Sequence, residues 1–258
     1  MKVAALLAMV AAVLPGNSPE VSVAYAGSLV RVMEGPIAKS FTAQTGIAFR
    51  GEGKGSKALA RLIADGDRTP DIFITADPKL YNDLHDAKGS MVHHPTVFAS
   101  ARMLLGCARN SPFLQSFRNA RTTADFAALL GSKARVGRTD PRIDPKGERT
   151  LTVLARLNVP QAAQNEPTFP EEDLLARLES GELDCGFFYS TELHDAQLVA
   201  IELPPGANLD GDIQYAIAIL RDAPHPQNAQ RFVDFILHGD GRAILEQYGM
   251  RSIPDRSP

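Results

Sequence analysis

Short apolar runs alternate along the chain with segments in which apolar residues recur every three or four positions. Residues 21–26 are mostly apolar and predict a strand, and the spacing of apolar residues over 29–41 predicts a helix directly after it. The same order returns later, where residues 71–75 predict a buried strand and Pro78 follows as a helix start. This alternation is typical of an α/β protein whose sheet is largely parallel.

The alternation also divides the chain into two parts. A longer, less regular segment over residues 96–108 and a second one near 212 predict two crossings between separate lobes. We therefore expect one lobe to contain residues 19–97 and 212–258, and the other to contain residues 98–211. Ligands of such α/β proteins bind at the carboxyl ends of strands, which places the expected binding cleft between the two lobes.

The first 18 residues have the pattern of a secretory signal peptide. Lys2 precedes twelve consecutive apolar residues, 3–14, and Pro15 and Gly16 then end the run. Twelve residues fall short of the roughly 20 that span a bilayer. We expect an exported protein, periplasmic or extracytoplasmic, and the alternative is a buried first helix.

Charge argues against one class of partner. The 258 residues include 27 Lys and Arg against 30 Asp and Glu, which gives a formal net charge of −3. A protein that wraps a nucleic-acid backbone normally carries a basic excess, so we expect no nucleic-acid partner.

The two cysteines, Cys107 and Cys185, each lie in an apolar, strand-like run. They could pair in an oxidising compartment or remain as two buried thiols. The six histidines show no ligand spacing with them, so the sequence predicts no structural zinc site.

Two junctions between a strand and a helix share a glycine followed by serine. Ser28 follows Gly27, and Ser56 follows the glycine-rich run 51–55. Glycine lets the backbone approach a ligand, and the serine hydroxyl and free N–H groups can then donate to an anion. Each serine could instead be an ordinary helix cap. The run matches neither a P-loop nor a nucleophile elbow, and nothing in it requires an enzyme.

Three further candidates lie in the second predicted lobe. Asp144 precedes a helix that begins in the run Asp-Pro-Lys-Gly-Glu-Arg, and Glu171 stands at the start of the next helix. Acidic residues are also favoured at helix starts by capping and by the helix dipole. Tyr189 ends a strand, where its hydroxyl would face the cleft or the core.

The order of these motifs resembles one known family, the periplasmic molybdate/tungstate-binding proteins of ABC importers. The resemblance covers residues 21–253 and implies the type II periplasmic binding protein fold, with two α/β lobes, a two-strand hinge and a ligand cleft between them. The segments that carry it are residues 26–29, 55–56, 71–77, 144–149 and 174–189.

The resemblance implies a ligand and a set of contacts. Ser28, Ser56 and Tyr189 match residues that bind the oxyanion, whereas Asp144 and Glu171 match carboxylates that bond directly to its molybdenum or tungsten atom in an acidic branch of the family. Glu172 and Asp173 are the alternatives to Glu171. The expected protein is a monomer without a cofactor, which captures molybdate or tungstate and delivers it to a membrane permease.

Other functions remain open at this point. The cleft could hold another oxyanion or ferric iron, although iron carriers of this fold generally use clustered tyrosines, and the five tyrosines here include no adjacent pair. An exported hydrolase with a metal ion held by Asp144 and Glu171 is an alternative from a different class.

Overall fold

The computed structural model describes residues 19–159, 168–194 and 197–253, without the side chains of Glu171 and Glu172. The segment 1–18, interpreted above as a signal peptide, lies outside the described residues. Across the described ranges, no helix combines the length and apolarity needed to cross a membrane.

The described elements follow the predicted alternation. The strands are β1 Glu20–Ala26, β2 Ala48–Lys54, β3 Ile72–Thr75, β4 His85–Asp86, β5 Gly89–Ser90, β6 Val92–Ala101, β7 Met103–Ala108, β8 Val136–Thr139, β9 Thr168–Phe169, β10 Cys185–Tyr189, β11 Leu198–Glu202, β12 Ile213–Leu220 and β13 Arg251–Ser252. The helices are α1 Val30–Val32, α2 Ala38–Thr45, α3 Ser56–Ala64, α4 Leu114–Asn119, α5 Thr123–Leu130, α6 Pro145–Arg156, α7 Glu171–Glu179, α8 Pro226–His238 and α9 Asp240–Gln247.

The first sheet is mixed rather than largely parallel. Its strand order over the described residues is β13-β6-β12-β3-β1-β2. The strands β1, β2 and β3 pair in parallel because helices connect them, whereas β12 runs antiparallel to both β3 and β6. The chain reaches β12 from β11 of the second sheet and not through a helix that packs on the first sheet. The βαβ connections that make β1, β2 and β3 parallel therefore do not fix the direction of β12.

The second sheet has the order β11-β7-β10-β8-β9 among the described strands. The chain passes between the two sheets twice, from β6 to β7 and from β11 to β12. The segment 96–108 is therefore two strands that belong to different sheets, rather than one crossing segment. Two lobes of sheets and helices confirm the predicted α/β fold, while the boundaries at residues 97 and 212 stay a prediction.

The helix predicted over residues 29–41 is interrupted. A 3-10 turn over Gly27–Leu29 leads into α1, and a π turn over Met33–Ile37 separates α1 from α2. The cause is the pair Gly35 and Pro36, because Gly35 adopts non-helical angles (φ −97°, ψ −106°) and proline has no N–H to donate. The predicted apolar positions nevertheless remain fully buried, since the interruption preserves the inner face.

Cys107 and Cys185 form a disulfide, which resolves the alternative left open by the sequence. They lie directly opposite each other on the antiparallel strands β7 and β10, with a Cα–Cα distance of 4.0 Å. The bond joins residues that are 78 positions apart in the sequence and ties two neighbouring strands of the second sheet together.

A buried carboxylate holds the start of β10 against the start of β8. Asp184 accepts hydrogen bonds from the backbone N–H of Arg135 at 2.8 Å, from its guanidinium at 3.0 Å and from the Ser111 hydroxyl at 3.3 Å. The Arg135 guanidinium is the main reason that the pKa of Asp184 lies below its usual value.

We expect Asp184→Asn to lower the free energy of unfolding by about 2 kcal/mol, because it removes charge-assisted hydrogen bonds to a buried group. A lowered pKa means that this stabilisation is complete above the unfolded-state pKa, roughly 3.9, and is lost as the pH falls. Denaturant unfolding at several pH values checks this. The variant should lose less stability in acid than the parent, and parallel pH profiles would contradict the assignment.

Candidate functional site

The two lobes meet where the glycine-rich end of β2 and Gly55 in the first face the start of α6 in the second. A Cβ atom on Gly55 would lie 2.6 Å from the backbone oxygen of Ile143 and 3.4 Å from the Cβ of Asp144. The first of these distances is too short for any side chain. Glycine at position 55 therefore permits the close contact that brings Ser56 and Asp144 to the same place.

Polar contacts extend this junction on both sides. The ammonium of Lys57 donates to the Pro141 backbone oxygen at 3.0 Å and pairs with the Glu148 carboxylate. Arg31 pairs with Glu179 at 3.2 Å on another part of the boundary. Because such pairs between partly exposed residues contribute little stability, their main effect is to fix how the lobes face each other.

Ser28 is buried beside the cleft but does not cap a helix. It lies in the 3-10 turn that ends β1, and no side chain caps that turn. Its hydroxyl lies 2.9 Å from the Tyr215 hydroxyl, which lies 3.3 Å from the Thr191 hydroxyl. The hydrogen bonds of Ser28 therefore belong to a cluster of hydroxyl groups, and the capping interpretation is wrong at this position.

Ser56 is likewise buried, and it is the first residue of α3 rather than its cap. The residue at the cap position is Gly55, and no side chain caps the helix. The Ser56 hydroxyl accepts from the backbone N–H of Ala76 at 3.2 Å, which ties the start of α3 to the end of β3. The capping interpretation is wrong here as well.

Asp144 combines a structural role with an unsatisfied oxygen. Its Oδ1 accepts from the backbone N–H of Lys146 at 2.9 Å and so caps α6, as helix-start acidic residues often do. Its Oδ2 is buried and makes no hydrogen bond of normal geometry with any described residue, and the same holds for the hydroxyl of Thr139. Since buried polar atoms are nearly always paired, this oxygen is a candidate ligand contact.

Burial is the main cause of a raised pKa at Asp144, because a carboxylate is poorly stabilised away from water. The positive charge of Lys146, its backbone N–H and the nearby Thr139 hydroxyl act in the opposite direction. The negative charge of Glu192 raises the pKa further. The charge on Asp144 thus depends on a cation and an anion that both lie close to it.

Tyr189 links Asp144's surroundings to the hydroxyl cluster. It is buried at the end of β10, and its ring stands nearly perpendicular to the ring of Tyr215, with 6.3 Å between centroids. Its backbone N–H donates to Oε2 of Glu192 at 2.7 Å. Ser28, Tyr215, Tyr189 and Glu192 therefore form one continuous set of contacts across the cleft.

Lys146 and Glu192 are site residues that the sequence did not single out. The Lys146 ammonium is fully buried and lies 2.6 Å from Oε1 of Glu192. It also lies over the rings of Phe188 and Tyr189, 5.4 and 5.9 Å from their centroids. No local sequence pattern predicts this pair. The two residues meet only when the turn after β10, which carries Glu192, packs against α6, which carries Lys146.

A cavity of about 350 Å³ opens between the lobes at this place. Ser28 and Val30 line it from the first lobe, and Leu175 and Glu192 line it from the second. Glu171 begins the helix α7 that carries Leu175, but its side chain lies outside the described part of the structure. Within that described part, no three or more His, Cys, Asp or Glu side chains are grouped to hold a metal ion.

A chain of contacts thus leads from Ser28 through Tyr215 and Tyr189 to the residues around Asp144. Ser56 lies next to them in space, because its neighbour Gly55 packs against Asp144. The arrangement offers to a small ligand several buried hydroxyls and one carboxylate oxygen, Oδ2 of Asp144, that makes no hydrogen bond of normal geometry with a described residue. It includes no nucleophile next to a base with the geometry of a catalytic triad among the described contacts.

Comparison with known proteins points to one family. The family model for bacterial extracellular solute-binding proteins matches residues 21–251. A candidate ABC transporter molybdenum-binding protein of Haloferax volcanii is 31% identical over 201 residues, which cover 75% of this chain and 62% of that protein, slightly under two thirds of its length. The molybdate-binding protein ModA of Mycobacterium tuberculosis is 27% identical over 248 residues, covering 91% of this chain and 88% of that one.

The solved structure of the Azotobacter vinelandii periplasmic molybdate-binding protein has the same fold. It superposes with a TM-score of 0.75 at 18% sequence identity, covering 92% of this chain and all of that one. The predicted type II periplasmic binding protein fold is thereby confirmed.

Proposed function

Since the chain belongs to the family of bacterial extracellular solute-binding proteins, we propose that it captures molybdate or tungstate in the cleft between its lobes. It then delivers the oxyanion to the membrane permease of an ABC importer. The names of the relatives from Haloferax volcanii and Mycobacterium tuberculosis support this ligand class. The role is one of binding and transport, without catalysis.

The observation that carries the proposal is the second oxygen of Asp144. A dianion placed against a carboxylate at reduced dielectric is repelled by several kcal/mol or more. The two coexist when the carboxylate oxygen bonds to the electron-poor metal atom of the oxyanion, or when the carboxyl group is protonated, and the pKa of Asp144 is raised by burial. Oδ2 is buried and makes no hydrogen bond of normal geometry with a described residue, so it suits a bond to the metal.

In the proposed complex, the carboxylates of Asp144 and Glu171 expand the molybdenum or tungsten to six-coordination. The hydroxyls of Ser28, Ser56 and Tyr189 hold the oxo atoms. The side chain of Glu171 is not described, so its share of this proposal rests on the family resemblance and on its position at the start of α7. Sulfate should be rejected, because its sulfur atom does not accept these two extra bonds.

Thermal unfolding with a panel of oxyanions and cations tests the function directly. At 100 times the dissociation constant, a ligand that binds the folded protein alone adds about 2.7 kcal/mol of stability. We expect molybdate and tungstate to raise the melting temperature and sulfate to leave it unchanged. Stabilisation by divalent cations alone would favour a hydrolase, stabilisation by ferric iron alone an iron carrier, and no stabilisation by either metal oxyanion would contradict the proposal.

X-ray absorption on the loaded protein tests the coordination separately. Six-coordinate molybdenum or tungsten is the expected result. A regular tetrahedral oxyanion would show that the carboxylates do not bond to the metal, while leaving oxyanion binding itself intact.

The proposed role also requires export. The signal-peptide pattern over residues 1–18 and the extracellular nature of the family support a periplasmic or extracytoplasmic location. The expected form is a monomer that closes on its ligand and docks on the permease.

A further inference from the structure

The hydroxyl cluster of Ser28, Tyr215 and Thr191 leads from the cleft into the interior. The Ser28 hydroxyl lies 2.9 Å from the Tyr215 hydroxyl, which lies 3.3 Å from the Thr191 hydroxyl. All three residues are buried, and Ser28 lines the cavity of about 350 Å³ between the lobes. The cluster therefore has one end at the cavity and the other on the turn that follows β10.

The number of hydrogens in the cluster restricts how it can be bonded. A serine, threonine or tyrosine hydroxyl donates one hydrogen bond, because it has one hydrogen, and it can also accept. Without a ligand, either hydroxyl of each pair can be the donor.

A ligand at Ser28 fixes the direction of these hydrogen bonds. When Ser28 donates its hydrogen to an oxo atom, Tyr215 must donate to Ser28, and Thr191 must donate to Tyr215. This order follows from one hydrogen per hydroxyl, and it holds whatever further groups Tyr215 contacts. Tyr215 then acts on the ligand through Ser28.

The order also strengthens the contact with the ligand. A hydroxyl that accepts a hydrogen bond is a better donor, because the accepted bond polarises its own O–H bond, and this effect is larger in a buried site than in water. The bond from Tyr215 thus makes Ser28 a stronger donor and holds its oxygen in one orientation.

We propose that Tyr215 is a positioning residue for oxyanion binding, which donates to Ser28 and so directs the Ser28 hydrogen at the ligand. Thr191 supports Tyr215 in the same way. This inference rests on the proposed function, in which Ser28 holds an oxo atom. It adds to the affinity of the site two residues that act only through Ser28.

Calorimetric titration with molybdate tests the inference in a double-mutant cycle of Ser28→Ala and Tyr215→Phe. Phenylalanine keeps the ring and removes only the hydroxyl. We expect Ser28→Ala to weaken binding roughly 30-fold and Tyr215→Phe roughly fivefold. The double variant should bind no more weakly than Ser28→Ala, because Tyr215 has no effect on the ligand once the Ser28 hydroxyl is gone.

Thr191 offers a matched pair of variants. Thr191→Val keeps the shape of the side chain without its hydroxyl, and it should weaken molybdate binding roughly threefold. Thr191→Ser keeps the hydroxyl and should retain the parental affinity. A role of Thr191 in packing alone would predict the opposite ranking, since valine preserves the packing better than serine.

Tyr81→Phe is the control for the loss of a buried tyrosine hydroxyl in the first lobe. The Tyr81 hydroxyl lies 2.8 Å from the backbone oxygen of Phe73 and 2.9 Å from that of Ala216, so its bonds are to the backbone of the first sheet. This variant should melt at a lower temperature than the parent but bind molybdate with the parental affinity.

The outcomes separate the two proposals. If the parent protein binds neither molybdate nor tungstate, the proposed function is wrong and this inference falls with it. If the parent binds molybdate and Ser28→Ala binds it equally well, Ser28 is not a ligand contact, and the inference is wrong while the proposed oxyanion binding stands.

The inference is also wrong if folded Tyr215→Phe keeps the parental affinity, or if its loss of affinity adds in full to that of Ser28→Ala. Should Tyr215→Phe not fold, the two Thr191 variants decide, and equal affinities in valine and serine variants would overturn the inference.

Discussion

Replacing Asp144 with alanine is expected to weaken molybdate binding by about 100-fold. Mutation of groups that merely orient a metal ligand typically costs 10- to 100-fold in metal affinity, so loss of a ligand itself should cost at least as much. The Oδ2 atom of Asp144 is buried and makes no hydrogen bond of normal geometry with a described residue, so its removal should weaken ligand binding strongly. Calorimetric titration of the purified variant measures the effect.

The control must separate binding from helix capping, because Oδ1 of Asp144 also caps α6. Alanine at this position should cost about 1 kcal/mol of stability through the lost cap. Asp144→Asn keeps a capping oxygen and the size of the side chain but removes the negative charge. We expect it to be nearly as stable as the parent and to bind molybdate as weakly as Asp144→Ala. Parental affinity in the folded asparagine variant would remove Asp144 from the proposed metal ligands.

The second large effect concerns stability. Substituting both Cys107 and Cys185 with alanine should lower the free energy of unfolding by about 3 kcal/mol. The disulfide closes a loop between residues 78 positions apart, and its loss gives the unfolded chain more freedom. For a chain of this size, that corresponds to a fall of roughly 6–12 °C in melting temperature.

Two further measurements complete this test. The parent protein treated with a reductant should melt near the temperature of the double variant. Molybdate affinity should stay unchanged, because the disulfide lies at the beginning of β10, whereas Tyr189 lies at its end. If the double variant had the same melting temperature as the oxidised parent, the disulfide would not contribute to stability.

The elements predicted best are those in which the apolar pattern and the final packing agree. Residues 213–220 are apolar except for Gln214 and predict a strand, and β12 has these bounds because the run is paired with a strand on both sides. Strand β2 extends to Lys54, although glycine, glutamate and lysine are poor strand formers. Its length is set by pairing with β1, which holds Lys54 opposite Ala26. Gly35 and Pro36 are residues that commonly interrupt a helix, but the regular apolar spacing on either side of them predicts one continuous helix over residues 29–41.

The candidate site likewise contains some residues that a local sequence pattern predicts and others that it does not. Serine after glycine and aspartate before a helix are local signals, and both could be identified from the chain alone. The Lys146–Glu192 pair and the contact of Tyr215 with Ser28 join residues 46 and 187 positions apart. Such contacts exist only after the strands have taken their order, so no local pattern could predict them. The side chain of Glu171 is not described, and its role stays a prediction.

The strand order of the first sheet constrains how the protein can fold. Strand β6 joins β3 only through β12, which begins at Ile213, long after β3 ends at Thr75. The strands of the second sheet, by contrast, all lie within the continuous stretch from Met103 to Glu202. During synthesis, which starts at the amino terminus, the second lobe can therefore form first. The first lobe can be completed only after its central strand, β12, has been made. The lobe that begins the sequence is the last to be completed, and a protein truncated before residue 213 would leave the edges of β3 and β6 unpaired.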